Sequence, residues 1–160
     1  MEREFEGKVA IVTGAGRGMG RAIALKLARG GAVVIVNDVR SEEARKVVRE
    51  IEAEGGRALA FVADVADYQA VKVMVDAAVN EFGTVDILVN NAGILRATQP
   101  LENISAEEWD LMMDVNVKGV FNCTKAVLPV MKAQRSGKIV NVSSSAGRST
   151  STFGGAHYTT

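Results

Sequence analysis

At 160 residues, 48% hydrophobic and 24% charged, the chain carries enough apolar material to bury a sizeable core, and one domain spanning 1–160 is expected. Its 19 lysines and arginines balance 19 acidic residues, which excludes a strong field toward nucleic acid or an anionic membrane and points to a small-molecule ligand. The single Cys123 excludes an internal disulfide, no apolar run approaches the roughly 20 residues of a membrane span, and the charged start Met1 to Glu6 lacks an apolar secretory stretch, so cytoplasmic residence is expected.

The first predicted element is a strand over Val9 to Thr13. Thr13-Gly14-Ala15-Gly16-Arg17-Gly18-Met19-Gly20 follows it directly and opens a helix rich in alanine and leucine, Ala22 to Ala28. Positions without side chains let a backbone approach a pyrophosphate, and the free amides and positive dipole end of a helix favour its charge. A flexible turn is the bland alternative, but the place between strand and helix marks Gly14, Arg17, Gly18, Met19 and Gly20 as candidate cofactor-binding residues. Gly30-Gly31 supplies the helix stop. A second strand over Val33 to Asn37 ends at Asp38, where a carboxylate can accept both hydroxyls of an adenosine ribose. That favours NAD over NADP, whose 2′-phosphate would face the carboxylate, with Arg17 and Arg40 near in sequence to soften the repulsion.

Further along, Ala44, Val47, Val48 and Ile51 mark one face of a helix with Ser41 as its expected cap, and Gly55-Gly56 ends it. A strand over Leu59 to Ala63 follows. Asp67 caps the next helix, whose face is Val71, Met74, Val75, Ala78, Val79 and Phe82, with Gly83 as its stop and a strand over Val85 to Val89 beyond it. Ser105 with Glu108 makes a capping box for a long helix. Trp109, Met112, Met113, Val117 and Val120 define its core face, Asn116 falls on that face, and Pro129 is expected to bend or end it near Leu128. The last strand is Ile139 to Val142, after which serine, threonine and glycine dominate from Ser143 to Thr160 and a loop is expected.

The strands are apolar without alternation and are expected to be buried on both faces. Single helices between them give right-handed crossovers, hence an α/β, doubly wound parallel sheet, Rossmann-like, ending after the fifth strand. Such a sheet keeps its ligands just beyond the carboxyl ends of its strands, where Asp64, Asn90 and Ser144 fall. Each has a plain alternative: Asp64 as the residue before a helix, Asn90-Asn91-Ala92-Gly93 as an Asx turn. The buried Asn116 amide must find partners, and either satisfies a neighbouring strand's backbone, absorbs a helix distortion or serves a site. Cys123, with no histidine at useful spacing, reads as a small core residue.

TGAGRGMG (Thr13 to Gly20), NNAG (Asn90 to Gly93), Asn116 within DVNVKGVF, NVSSSAG (Asn141 to Gly147) and Tyr158 together resemble the short-chain dehydrogenase/reductase family across the whole chain, in its compact TGxxxGxG branch. The resemblance implies hydride transfer between a nicotinamide and a secondary alcohol or ketone, such as a 3-oxoacyl thioester, a sugar or a steroid. By position it makes Tyr158 the general acid or base and Ser144 the holder of the substrate oxygen, with Ser143 and Ser145 as alternatives. It gives Asn116 a water of the proton relay. Asp64 and Val65 would meet the adenine, Asn90, Ala92 and Gly93 the cofactor's underside, and Gly14, Gly18, Met19 and Asp38 its phosphates and ribose. No metal is implied, and family members are commonly homo-oligomers.

The family's pattern runs from the tyrosine to a lysine, Tyr-x-x-x-Lys, and that lysine is absent from these 160 residues. Bringing a phenol from a pKa of about 10 to near 7 takes about 4 kcal/mol, so the 160 residues alone are expected to be inactive, with Tyr158 on a mobile tail. A competing expectation is a nucleotide-binding module with little catalysis. The resemblance gives His157 no role, and a lone histidine beside a chain end is expected to be solvent-exposed.

Overall fold

Five parallel strands lie side by side in the order β3-β2-β1-β4-β5. The computed structural model describes residues 3–148 and 155–159. The strands are β1 (Val9–Val12), β2 (Val33–Asp38), β3 (Arg57–Val62), β4 (Ile87–Asn90) and β5 (Lys138–Asn141), all within two residues of the expected starts and ends. β1 sits at the centre, where Val12 pairs with Val36 of β2 on one side and Val89 of β4 on the other.

The connecting segments are α1 (Gly18–Arg29), α2 (Ser41–Ala53), α3 (Tyr68–Phe82), α4 (Ala106–Met113), α5 (Gly119–Ala133) and the short turn α6 (Ala156–Thr159). Two apolar layers result, one on each face of the sheet. Ala10, Val12, Val34 and Val36 meet Ala24, Leu25, Val47 and Ile51 of α1 and α2. On the other face Val9, Ile11, Ile35 and Leu88 meet Met74, Ala78, Cys123 and Val127 of α3 and α5. Alternate strand residues thus point to opposite layers, which is why these strands read as unbroken apolar runs.

Four local expectations need correction. β3 and β5 have one partner strand each among the described residues, and Val62 and Val140 are half exposed, so only β1, β2 and β4 are buried on both faces. Ser41 is the first residue of α2 rather than its cap, a place taken by Arg40 without a side-chain bond. Asp67 does cap α3, accepting from the Gln69 and Ala70 amides at 2.8 and 3.3 Å. Pro129 does not end its helix, which runs on to Ala133; Lys125, whose carbonyl has no Pro129 N–H to accept from, and Pro129 are both exposed residues, on the side of the helix that solvent reaches.

The fourth concerns the long helix. α4 and α5 join through a π-helical turn, Asp114–Lys118, an insertion that rotates the next turns of helix about the axis. Val117 is therefore exposed rather than on the core face, and α5 buries Gly119, Asn122, Cys123, Ala126, Val127 and Met131 instead. No helix among the described residues is long and apolar enough to cross a membrane.

Candidate active site and cofactor cleft

Beyond the carboxyl ends of the strands, at the switch point between β1 and β4, two adjoining cavities of about 460 and 570 Å³ share Met19, Asn91, Ala92, Gly93 and Ile94 as a common wall. Gly14, Arg17, Gly18, Met19, Gly20, Asp38, Asp64, Val65, Ala92 and Gly93 all line the first. Asn116, Ser144 and Tyr158 line the second, with Ser143. Of the residues given a site role in the sequence, Asn90 lines neither cavity, and nor does Ser145, an alternative to Ser144.

The glycine loop is shaped by contacts across the switch point. Gly14 has φ +60°, and a Cβ there would come 2.8 Å from the Ala92 Cα, so neither conformation nor space admits a side chain. The Gly18, Met19 and Gly20 amides at the head of α1 meet no acceptor among the described residues. Free first-turn amides and open space beside Gly18 fit a diphosphate.

Two residues to which the sequence pattern gave no individual role hold this floor. The Thr13 hydroxyl accepts from the Asn91 and Ala92 amides, both at 3.0 Å, and donates to the Val89 carbonyl at 3.4 Å. The Asn91 side chain donates back to the Thr13 and Gly14 carbonyls at 2.9 and 3.1 Å. Their only sequence signal was membership of the two motifs.

Asp38 sits at the end of β2, one oxygen accepting from the Gly16 amide and the other from the Arg40 amide, both at 3.0 Å. A Cβ on Gly16 would stand 2.7 Å from that carboxylate. These bonds fix the carboxylate against the glycine loop, with lone pairs remaining for a ribose diol. Asp64 closes its own turn by accepting from the Ala66 amide at 2.9 Å, while Val65, which lines the cavity, packs its buried side chain in the core against Gly119. Asn122 of α5 places that turn, donating to the Val65 and Ala66 carbonyls at 2.9 and 3.1 Å.

Asn90 is buried and turned toward β5 and α5, donating to the Asn141 carboxamide oxygen at 2.9 Å and to the Thr124 hydroxyl at 3.3 Å. It tethers β4 to its neighbours; Asn91, one residue on, takes the place at the cleft. Asn116 is half-buried in the π-helical turn. It meets the backbone of Ile94, just past β4, through both ends of its amide, and its Nδ2 also reaches the Met112 sulfur at 3.1 Å. The partner backbone belongs to the segment after the strand rather than to the strand.

Ser144 Oγ accepts from the Ala146 amide at 3.2 Å, which leaves its O–H free to donate into the cleft. Ser143 shares the wall, whereas Ser145 begins a turn of 3₁₀ helix. Tyr158 stands in α6, a helical turn of four residues. His157 beside it is 1% exposed, overturning the expectation of a solvated side chain: its Nε2 donates to Glu108 Oε1 at 3.1 Å. Glu108 consequently does not complete the expected capping box, although its amide does donate to Ser105 Oγ at 3.1 Å. The rest of the expected loop, 149–154 and Thr160, lies outside the described residues. Cys123 is buried, and desolvation pushes its thiol from 9.0 up to about 12.

The fold and the cleft are those of a nucleotide-binding α/β protein. Residues 8–160 match the family described as short chain dehydrogenase, and the chain belongs to that family. It is 50% identical over 141 residues to the 3-oxoacyl-[acyl-carrier-protein] reductase FabG of Staphylococcus aureus, covering 88% of this chain and 57% of that protein. It is 44% identical over 142 residues to the (2S)-[(R)-hydroxy(phenyl)methyl]succinyl-CoA dehydrogenase subunit BbsD of Thauera aromatica, covering 89% and 57%. A crystal structure of a 3-oxoacyl-[acyl-carrier protein] reductase with bound NAD from Brucella melitensis superposes with a TM-score of 0.91 at 34% identity, over 99% of this chain and 61% of that one. The chain therefore spans less than two thirds of the length of these relatives.

Proposed function

We propose that the protein transfers a hydride between NAD(H) and a secondary alcohol or ketone, and that a 3-oxoacyl thioester is the substrate class to test first. The observation that carries this reading is the continuity of the two cavities: a floor suited to a dinucleotide opens into a wall bearing Asn116, Ser144 and Tyr158. The family supports an oxidoreductase using NAD or NADP, and the reductases among its relatives support the thioester. The dinucleotide, when bound, gives or takes the hydride.

The chain's own groups handle the proton. Ser144 donates a hydrogen bond to the substrate oxygen, and Tyr158 gives its phenolic proton to that oxygen during reduction and takes it back during oxidation. Asn116 holds the Ile94 backbone at the junction of the cavities and anchors the water of the relay. Asp38 selects the ribose diol, which makes NAD the cofactor of choice, and Gly14, Gly18, Met19 and Gly20 carry the diphosphate with Arg17 alongside. Asp64 and Val65 meet the adenine, and Ala92 and Gly93 support the underside of the cofactor.

The balanced charge fits a small-molecule substrate and no nucleic-acid or membrane partner, with the cytoplasm as the place of work. Val117, Phe121 and Leu128, exposed on one helical rod, suit a homo-oligomer, which light scattering on the full-length protein tests. The test of the reaction is Tyr158→Phe in the full-length protein with acetoacetyl thioester and NADH. General acid–base catalysis contributes about 100- to 10,000-fold, and a loss of that size with NADH binding intact is expected. Unchanged turnover would refute the assignment.

A further inference from the structure

Tyr158 stands in a turn of only four residues, Ala156–Thr159, far too short to hold its shape alone. Within it the Gly155 carbonyl accepts from the Tyr158 and Thr159 amides at 2.9 and 3.2 Å. One tie to the rest of the molecule is the side chain next to the tyrosine. The His157 ring is buried, folds back over Gly155, and reaches Glu108 in the first turn of α4. A Cβ on Gly155 would come 2.7 Å from the ring's Cε1 and 2.9 Å from its Nδ1, so the ring lies in space that a glycine leaves.

Glu108 uses both oxygens. Oε1 accepts from His157 Nε2 at 3.1 Å and Oε2 accepts from Gln99 Nε2 at 2.8 Å. Gln99 belongs to the segment between β4 and α4, which also supplies Ile94 and Leu95 to the cavity wall that includes Tyr158. One carboxylate thus joins the tyrosine turn to the segment across the cleft. An ionised carboxylate only accepts, which fixes Nε2 as the protonated nitrogen. Nδ1 is then buried with no partner among the described residues, an unsatisfied group of the kind that calls for an explanation beyond packing.

We propose that Glu108 and His157 are positioning residues whose partly buried contact sets where the Tyr158 hydroxyl meets the substrate oxygen. The inference rests on reading Tyr158 as the proton donor. Neither residue exchanges a proton with substrate; they restrict the tyrosine, and a displacement of 1 Å at such a group lowers turnover by about 100-fold.

The experiment compares Glu108→Ala, His157→Leu and Tyr158→Phe with the unmodified full-length protein, assayed with acetoacetyl thioester and NADH. For Glu108→Ala and His157→Leu, kcat is expected to fall by about 10- to 100-fold, while the NADH dissociation constant stays within about twofold. Glu108→Gln, whose oxygen still accepts from the ring, and His157→Gln, whose amide nitrogen replaces Nε2, are expected to recover most of the loss. The double variant Glu108→Ala with His157→Leu is expected to be no worse than the poorer single one. Should His157→Leu fail to fold, Glu108→Ala, at a half-exposed site, carries the comparison alone.

If Tyr158→Phe is inactive while Glu108→Ala keeps kcat within about twofold, with or without a lower melting temperature, the contact is structural and the inference fails by itself. An active Tyr158→Phe would remove the reading beneath it instead.

Discussion

The Asn116 amide satisfies both backbone groups of Ile94, accepting from its N–H at 2.8 Å and donating to its C=O at 2.9 Å. A residue just past β4 is thereby held as though paired in a sheet, by a side chain from the π-helical turn. Removing a bonded partner and leaving buried groups unmatched costs about 1–3 kcal/mol each. Asn116→Leu is accordingly expected to lower the unfolding free energy by about 1–3 kcal/mol in urea melts and to reduce turnover by more than the stability loss explains. Stability equal to the parent's would show that the segment holds itself.

Thr13→Val is the sharper test of the floor. The hydroxyl is buried and serves the Asn91 and Ala92 amides, and valine keeps the shape while removing the acceptor. A loss of about 2 kcal/mol or more, with weaker NADH binding, is expected from calorimetry and titration, whereas Thr13→Ser stays close to the parent. Equal behaviour of the two variants would contradict the assignment.

Asp38 sets the expectation for cofactor choice. Fluorescence titration should show tighter NADH than NADPH binding, and Asp38→Asn, which loses the negative charge, should narrow the ratio by about tenfold or more, equivalent to about 1.4 kcal/mol. The Gly16 and Arg40 amides donate to different oxygens of Asp38, so the asparagine oxygen serves one of them and the other loses its acceptor. Equal affinities in the parent would refute the preference.

Cys123 gives a prediction in pH. Its thiol is raised from 9.0 to about 12 by burial, so between those values the unfolded chain sheds a proton that the folded chain keeps. This contribution to stability is complete below 9.0 and is lost as pH rises toward about 12. In the folded protein at pH 8 the thiol should resist iodoacetamide, and in urea it should react. Rapid native labelling would place the sulfur at the surface.

What the sequence revealed and what it hid divide along contact range. The β-branched runs at Val9 and Val33, the glycine string and the spacing of Val71 to Phe82 act through neighbours a few positions away, and they foretold the sheet and the glycine turn at the head of α1. Asp67 was legible as a cap for the same reason. His157 was misread because its burial depends on Glu108 at a sequence separation of 49. Asn90 was misplaced because adjacent residues of an extended segment point to opposite sides: its side chain goes to Asn141, while that of Asn91, just past the strand, goes to Thr13. Val117 was misplaced because an ideal helical period cannot anticipate a widened turn.

The single hydroxyl of Thr13, shared between two loops, has a mechanical corollary. Because the strand that precedes the glycine string and the strand that precedes Asn91 are cross-tied at their tips, the two cannot part there, as leaves of a hinge would, without breaking the bonds that Thr13 and Asn91 exchange.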